Sequence, residues 1–319
     1  MSFLSQCPAR PRLASLVAGV LAVAAFSAPS LAQTKIQIGC TATTDCASAM
    51  VAVDQGIFAK HGLDAKMTLI GINSNIPAAI VSDSIQIGGP TETVFLQAVD
   101  GGLDLVAVEG ASRMDPISNE AVVAFARNGT SLKEAKDFVG KKVGAPGIGA
   151  FLQVLFVKWL VEKGVDPKTV NFVEVTFPTQ NDTLKSGAVD AVLTAEPFVT
   201  RMTKAGTGYV AAHYAADLGR TEPIISYVAA RAFAEKNPEA IASFRAAIAE
   251  AAEIVNSDRE KTSASVSNFT KQPLDIVRAN RPNLAAPDLK AEQLAWWLDV
   301  MGQQGLLQTE INLSKLMLP

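Results

Sequence analysis

The chain is expected to be an α/β protein of two lobes, each a mostly parallel sheet flanked by helices. Two observations point there. One block occurs twice. The first copy runs Gly56-Ile57-Phe58-Ala59-Lys60-His61-Gly62-Leu63-Asp64 into the apolar stretch 67–70, and the second runs Trp159-Leu160-Val161-Glu162-Lys163-Gly164-Val165-Asp166 into 170–175. Each reads as a helix stopped by glycine, a short turn with Asp, and a buried strand. Polar loops follow, 71–75 in one copy and 178–182 in the other, and each feeds another short helix and strand. Strands alternating with helices in this rhythm imply right-handed parallel crossovers. The second observation is length: 319 residues, half of them apolar, are enough for two cores.

The first 32 residues are set apart. Arg10 and Arg12 precede an apolar run over 13–26, and Ser30-Leu31-Ala32 offers the small residues a signal peptidase reads, with cleavage after Ala32. The run is too short for a spanning helix. Beyond it stand 26 Lys and Arg against 31 Asp and Glu, a net charge of −5 without basic runs. That balance argues against nucleic acid or an anionic membrane surface as partner. Cys40 and Cys46, six positions apart, are the cysteines left. A disulfide suits an oxidising compartment and would stiffen the intervening loop; two free thiols are the alternative. A metal site is not expected, since no His or second Cys pair accompanies them.

Along the remaining chain, a strand over 35–39 leads through a Thr-rich loop to a helix over 47–60. A helix over 76–81, a strand over 84–88, a helix from Thr91 to Val99 and a strand over 103–108 follow. A strand over 120–126 carries the chain into the second lobe. There a strand over 142–145, the glycine loop 146–149, a long helix over 151–163, a helix over 180–185 and a strand over 189–194 precede Glu196-Pro197-Phe198. A strand over 224–230 returns, and the rest is read as almost all helical, with 239–256 the clearest amphipathic run. The lobes are therefore drawn as 33–119 with 222–319, and 120–221, joined by two hinge strands.

Asp54-Gln55-Gly56-Ile57-Phe58, Lys60-His61-Gly62-Leu63-Asp64, Gly144-Ala145-Pro146-Gly147-Ile148-Gly149, Leu184-Lys185-Ser186-Gly187-Ala188-Val189-Asp190-Ala191 and Glu196-Pro197-Phe198 form an ordered set. In it the chain resembles the periplasmic solute-binding proteins of ABC importers for nitrate, sulfonates, taurine and thiamine precursors. The resemblance implies the type II periplasmic binding protein fold, a ligand held in the cleft between lobes by hinge closure, a permease of the inner membrane as partner, a monomer and no cofactor. It also implies that Glu196 faces the cleft. Thiamine-pyrimidine synthases share the Gly-Leu-Asp turn, but they use a cysteine-rich motif and a cofactor-bearing lysine and histidine. A ligand sensor without transport is the third reading.

The residues agree with a cleft. Ligands of open α/β sheets sit beyond the carboxyl ends of strands, beside helix N-termini that attract anions. Four such termini are expected: near Ser48, near Asn75, at Thr91, and at Gly149-Ala150-Phe151. The candidate ligand contacts are Thr43, Thr44, Asp45, Ser48, Asn73, Ser74, Asn75, Thr91, Glu92, Arg113, Gly149, Ala150, Phe151 and Glu196. Ser, Thr, Asn and Asp also cap turns everywhere, which is the competing role for most of them. Arg113 is the cation expected at the cleft, suited to a carboxylate or sulfonate, with a hinge ion pair to Asp115 or Glu120 as its alternative. Glu196, Asp45 and Glu92 tilt the expected ligand from nitrate toward an organic anion that also carries a donor, such as a taurine-like zwitterion. His61 and His213 have no partners at metal or catalytic spacing, and no nucleophile elbow, phosphate loop or metalloprotease motif is present.

Overall fold

The computed structural model describes residues 33–318; the signal segment 1–32 and its cleavage after Ala32 lie outside the described residues. Among the described residues, eleven strands form two mixed sheets. The first contains β1 (Thr34–Cys40), β2 (Leu63–Leu69), β3 (Ile87–Gly88), β4 (Leu105–Arg113), β10 (Pro223–Ala230) and β11 (Leu284–Ala285), in the order β11-β4-β10-β3-β1-β2. The second contains β5 (Val123–Arg127), β6 (Lys142–Ala145), β7 (Asn171–Glu174), β8 (Ala191–Thr194) and β9 (Gly208–Ala212), in the order β7-β6-β8-β5-β9. The doubled block supplies the parallel part of each: β1 pairs with β2 and β3, and β6 with β7 and β8. Strands β10 and β5 then run antiparallel to their neighbours, which is where the parallel pattern stops.

Both glycines that end the repeated helices, Gly62 and Gly164, take left-handed φ angles of 81° and 75°. A side chain there would strain the turn, so glycine releases the chain into the strand. Gly56 does the same one turn earlier, with φ 69°, and splits the expected helix over 47–60 into Ala47–Asp54 and Ile57–Lys60. The expected strand over 120–126 begins only at Val123, because residues 118–121 form a 3-10 turn tied to the Asp115 carboxylate. Strand β4 runs to Arg113 rather than stopping at 108, since β10 and β11 both pair with its last residues. The edge strands β9 and β11 were not foreseen.

The chain crosses between sheets twice, at 114–122 and at 213–222, and the crossings touch. Met114 N–H donates to Glu222 O at 2.9 Å, and Asn119 Nδ2 to Arg220 O at 2.8 Å. Helix Pro238–Ser257 covers the first sheet with the apolar stripe Ala240, Ile241, Phe244, Ala247, Ile248, Ala251, Ala252 and Val255. Phe244 stacks on Phe58 at 5.4 Å and meets Tyr227 edge-on at 5.2 Å. The second sheet has its own cluster, where Phe156 sits 5.1 Å from Phe138, 5.4 Å from Trp159 and 5.2 Å from Tyr214.

Cys40 and Cys46 are bonded and buried at the end of β1. The disulfide lies on the backbone of Gly89, where an added Cβ would come within 2.5 Å of Cys46 Sγ and 2.9 Å of Cys40 Sγ. Gly89→Ala is therefore expected to lower stability by about 1–3 kcal/mol through overpacking. Gly71→Ala, with nothing within 4 Å of the new Cβ, should stay within about 0.5 kcal/mol of the parent, both variants being measured by urea unfolding.

Candidate functional site

Between the two sheets lies a cavity of about 40 Å³, room for a few waters or a small ligand group. Its walls come from both sides. The disulfide loop presents Thr41, Thr43, Thr44 and Asp45; Asn73 and Thr91 stand beside them; and Pro146, Ala150, Phe151, Leu152, Phe177, Ala195 and Glu196 face them from the second sheet. Crossing residues Ala121 and Val122, and Ile224 of β10, complete the floor.

The first wall is knitted by short polar contacts. Thr43 Oγ1 donates to Asp45 Oδ2, and Asn73 Oδ1 accepts from Thr91 N–H at 2.9 Å. Burial pushes the Asp45 carboxyl up, against the opposing pull of hydrogen bonds from Thr43 and Asn283. On the second wall, Glu196 Oε2 accepts from Thr200 N–H at 3.1 Å and Oε1 from Thr200 Oγ1 at 3.0 Å. Burial raises its pKa as well, opposed by those two bonds. Two helices of useful length start at the cavity. Glu92–Asp100 begins after Thr91 and Phe151–Glu162 after Ala150, and neither has a side-chain cap. Among the described residues no acceptor meets the N–H groups of Phe151 and Leu152. Such first-turn donors carry the positive end of the helix dipole.

Of the candidate contacts, Thr43, Thr44, Asp45, Asn73, Thr91, Ala150, Phe151 and Glu196 line this cavity, and six do not. Arg113 is the main correction. Because β4 continues to its end, the guanidinium points away and donates to Thr221 O at 2.7 and 3.1 Å, beside an outer groove. Ser48 is buried behind the wall, bonded to Tyr227 Oη at 2.9 Å. Ser74 and Asn75 are exposed on the outer side of a 3-10 turn that turns only Asn73 inward. Glu92 points back into the core toward Ser226 Oγ. Gly149 spends its N–H on Gln153 Oε1 at 2.6 Å and its carbonyl on Gln97 Nε2 at 2.7 Å. Likewise the polar loop 178–182 stays outside, and Phe177 before it is what reaches the cavity.

The sequence reading missed the segment Asn280-Arg281-Pro282-Asn283, which was passed over as part of a helical tail. Asn280 bonds Thr200 across the cleft, with Nδ2 at 3.0 Å from Thr200 Oγ1. Arg281 lines the cavity with NH1 3.6 Å from Asp115 Oδ1, and is the Lys or Arg that does so among the described residues. Asn283 N–H donates to Thr44 Oγ1 at 3.2 Å, and its Nδ2 donates to Asp45 Oδ1. This strap touches the first wall, the hinge and the second wall in four residues. The polar density of Asn-Arg-Pro-Asn after a short helix was the available signal.

A family model described as the NMT1-like family matches residues 30–269. The chain belongs to that family. A nitrate/nitrite binding protein, NrtA of Nostoc sp., is 22% identical over 308 residues, covering 87% of this chain and 69% of the relative. The alkanesulfonate-binding protein SsuA from Xanthomonas axonopodis pv. citri, solved bound to MOPS, superposes with a TM-score of 0.76 at 18% identity, over 89% of this chain and 98% of that one. The periplasmic nitrate-binding protein NrtA from Synechocystis PCC 6803 superposes with a TM-score of 0.71 at 17% identity, over 88% and 84%. The family member described here thus has the two-lobed type II periplasmic binding protein fold. Among the described residues no helix is long and apolar enough to cross a membrane.

Behind the first wall, burial lifts the Glu92 carboxyl from its ordinary 4.5 to about 7, with Ser226 opposing the shift. A raised acid holds its proton in the folded state where the unfolded chain has lost it. Its stabilising contribution is complete below pH 4.5 and is lost as pH rises through about 7. Relative to Glu92→Gln, the parent protein should therefore lose about 3 kcal/mol between pH 4.5 and 7 and no more above it, measured by urea unfolding across that range.

Proposed function

We propose that this chain is the extracytoplasmic solute-binding component of an ABC importer, exported to the periplasm and cleaved after Ala32. It works without catalysis, as a monomer. It captures a small organic carboxylate or sulfonate, taurine-like zwitterions included, and presents the closed form to an inner-membrane permease. The moving bodies are 33–119 with 222–319, and 120–221, which turn about the paired crossings. One observation carries the reading: a single cavity between the sheets is faced by Arg281, by the open N-terminal turn of helix Phe151–Glu162, and by the carboxylates Glu196 and Asp45. The guanidinium and helix N–H groups suit the anionic end of a ligand. The carboxylates suit an ammonium or N–H donor, and Phe151 and Phe177 cover its carbon skeleton.

The relatives named for nitrate and alkanesulfonate support an anionic ligand, whereas two carboxylates beside one arginine make a bare inorganic anion the poorer fit. The same acidic balance favours a second reading, a neutral heterocycle such as a pyrimidine whose N–H groups face Glu196 and Asp45. Thermal denaturation with nitrate, ethanesulfonate, taurine, benzoate and an aminopyrimidine separates the two. A ligand at a hundred times its Kd adds about 2.7 kcal/mol to apparent stability. Taurine or ethanesulfonate is expected to shift the midpoint most; a shift with the pyrimidine alone would replace the anion reading.

Single substitutions then assign the side chains. Arg281→Ala should weaken ethanesulfonate and taurine alike by about tenfold or more, the scale of a lost charge-assisted hydrogen bond. Glu196→Gln should weaken taurine and spare ethanesulfonate, which has no ammonium. Equal loss of both ligands in Glu196→Gln, read by calorimetric titration, would remove Glu196 from ammonium recognition.

A further inference from the structure

Glu196 and the strap are joined by a contact whose chemistry sets a direction. Thr200, on helix Phe198–Lys204 of the second wall, has one hydroxyl proton and two oxygen lone pairs. Its Oγ1 lies 3.0 Å from Glu196 Oε1, and its N–H donates to Glu196 Oε2 at 3.1 Å. With the hydroxyl proton committed to the carboxylate, Oγ1 is left as an acceptor. The Asn280 amide faces it from the opposite side, Nδ2 at 3.0 Å and Oδ1 at 3.2 Å from Oγ1, and with the hydroxyl proton on Glu196 it is Nδ2 that donates; that same Nδ2 also reaches Ile276 O at 3.0 Å. One turn further along, Lys204 Nζ meets Asp275 Oδ2 at 3.1 Å across the same gap, an exposed pair that adds little by itself.

We propose that Thr200 and Asn280 form a closing clasp that positions Glu196 and couples its occupancy to closure of the cleft. Glu196 stands at the cavity, Thr200 orients both of its oxygens, and Asn280 ties Thr200 to the strap that also carries Arg281 and Asn283. The side chain that receives a ligand donor on one wall is thereby linked to the segment that receives a ligand anion on the other. Thr200 and Asn280 line no part of the cavity and touch no ligand, so they are positioning residues. The inference rests on the binding reading above but is tested apart from it.

Small-angle scattering of the full mature chain reads the clasp without any ligand. Wild type is expected to contain a compact population, and Thr200→Val or Asn280→Asp should shift the radius of gyration toward the open form. The double variant should open no further than either single one, because both remove the same bond. Thr200→Ser, which keeps the hydroxyl, should restore the wild-type curve. Circular dichroism of each variant checks that the fold is intact, and Lys204→Ala serves as the exposed-pair control. With taurine as probe, the two disruptive variants should lose affinity about five- to tenfold, the scale of one hydrogen bond, and Thr200→Ser should not. A wild type that is fully open without taurine would overturn the proposal, as would Thr200→Val and Asn280→Asp with wild-type scattering. A wild type that shows the clasp effect yet binds no taurine would instead count against the ligand assignment alone.

Discussion

The returning strand β10 holds the site together, and its antiparallel insertion between β3 and β4 is the constraint on which the rest depends. Five successive residues of this strand, Pro223 to Tyr227, make contacts on or behind the first wall. Pro223 O accepts from Trp297 Nε1 at 2.8 Å, Ile224 faces the cavity, and Ile225 bridges to Thr91. Ser226 bonds Glu92, and Tyr227 Oη accepts from Ala49 N–H and shares a hydrogen bond with Ser48 Oγ at the start of the first helix. The strand enters directly from the second crossing, so the same backbone that closes the first sheet also carries the chain back from the second. Closure of a sheet in which the chain leaves at β4 and comes back at β10 places both crossings side by side.

The electrostatics follow from that architecture. Three carboxylates lie at or just behind the cavity, and burial raises the pKa of each: Asp45, Glu92 and Glu196. Their hydrogen-bond partners are hydroxyls and amides rather than cations, with Thr43 and Asn283 on Asp45, Ser226 on Glu92 and Thr200 on Glu196. Neutral donors offset only part of the desolvation cost, so all three stay receptive to a proton, and Asp45 and Glu196, which line the cavity, to a ligand donor as well. Arg281 is held differently. Its NH1 lies 3.6 Å from Asp115 Oδ1, a carboxylate that also takes hydrogen bonds from Ile117 and Ser118, and the side chain lines the cavity. The site is thus acceptor-rich on two walls and donor-rich at the strap and at the Phe151 helix terminus.

Much of this was legible in the chain. The doubled Gly-Leu-Asp and Gly-Val-Asp blocks announced two sheets, and residues of the loops after Cys40, before Glu92 and after Pro146 line the cavity, whereas loop 71–75 contributes only Asn73 and loop 178–182 nothing. Individual side chains were read less well, for a consistent reason. Ser48, Ser74, Asn75 and Glu92 sit in the right loops but face the wrong way, and orientation within a turn depends on which neighbour the backbone packs against. Arg113 failed because strand length is set by pairing partners: β10 and β11, more than a hundred positions downstream, extend β4 past the point where its own pattern ends. The strap was hard to read because the contacts that place it at the site are long-range, with Asn283 meeting Thr44 and Asp45 from 239 and 238 positions away.

What the sequence by itself determined was the element plan: two parallel units, each with a glycine-stopped helix feeding a strand, in an acidic, cysteine-poor chain. Those features are local, and local propensity and hydrophobic period dictate them. Only the tertiary structure decided which cation stands at the site, which face of each loop is presented, and how the second wall is tied to the first. Those choices rest on contacts between segments far apart in the chain, where packing and hydrogen-bond satisfaction outweigh any preference the residues carry alone.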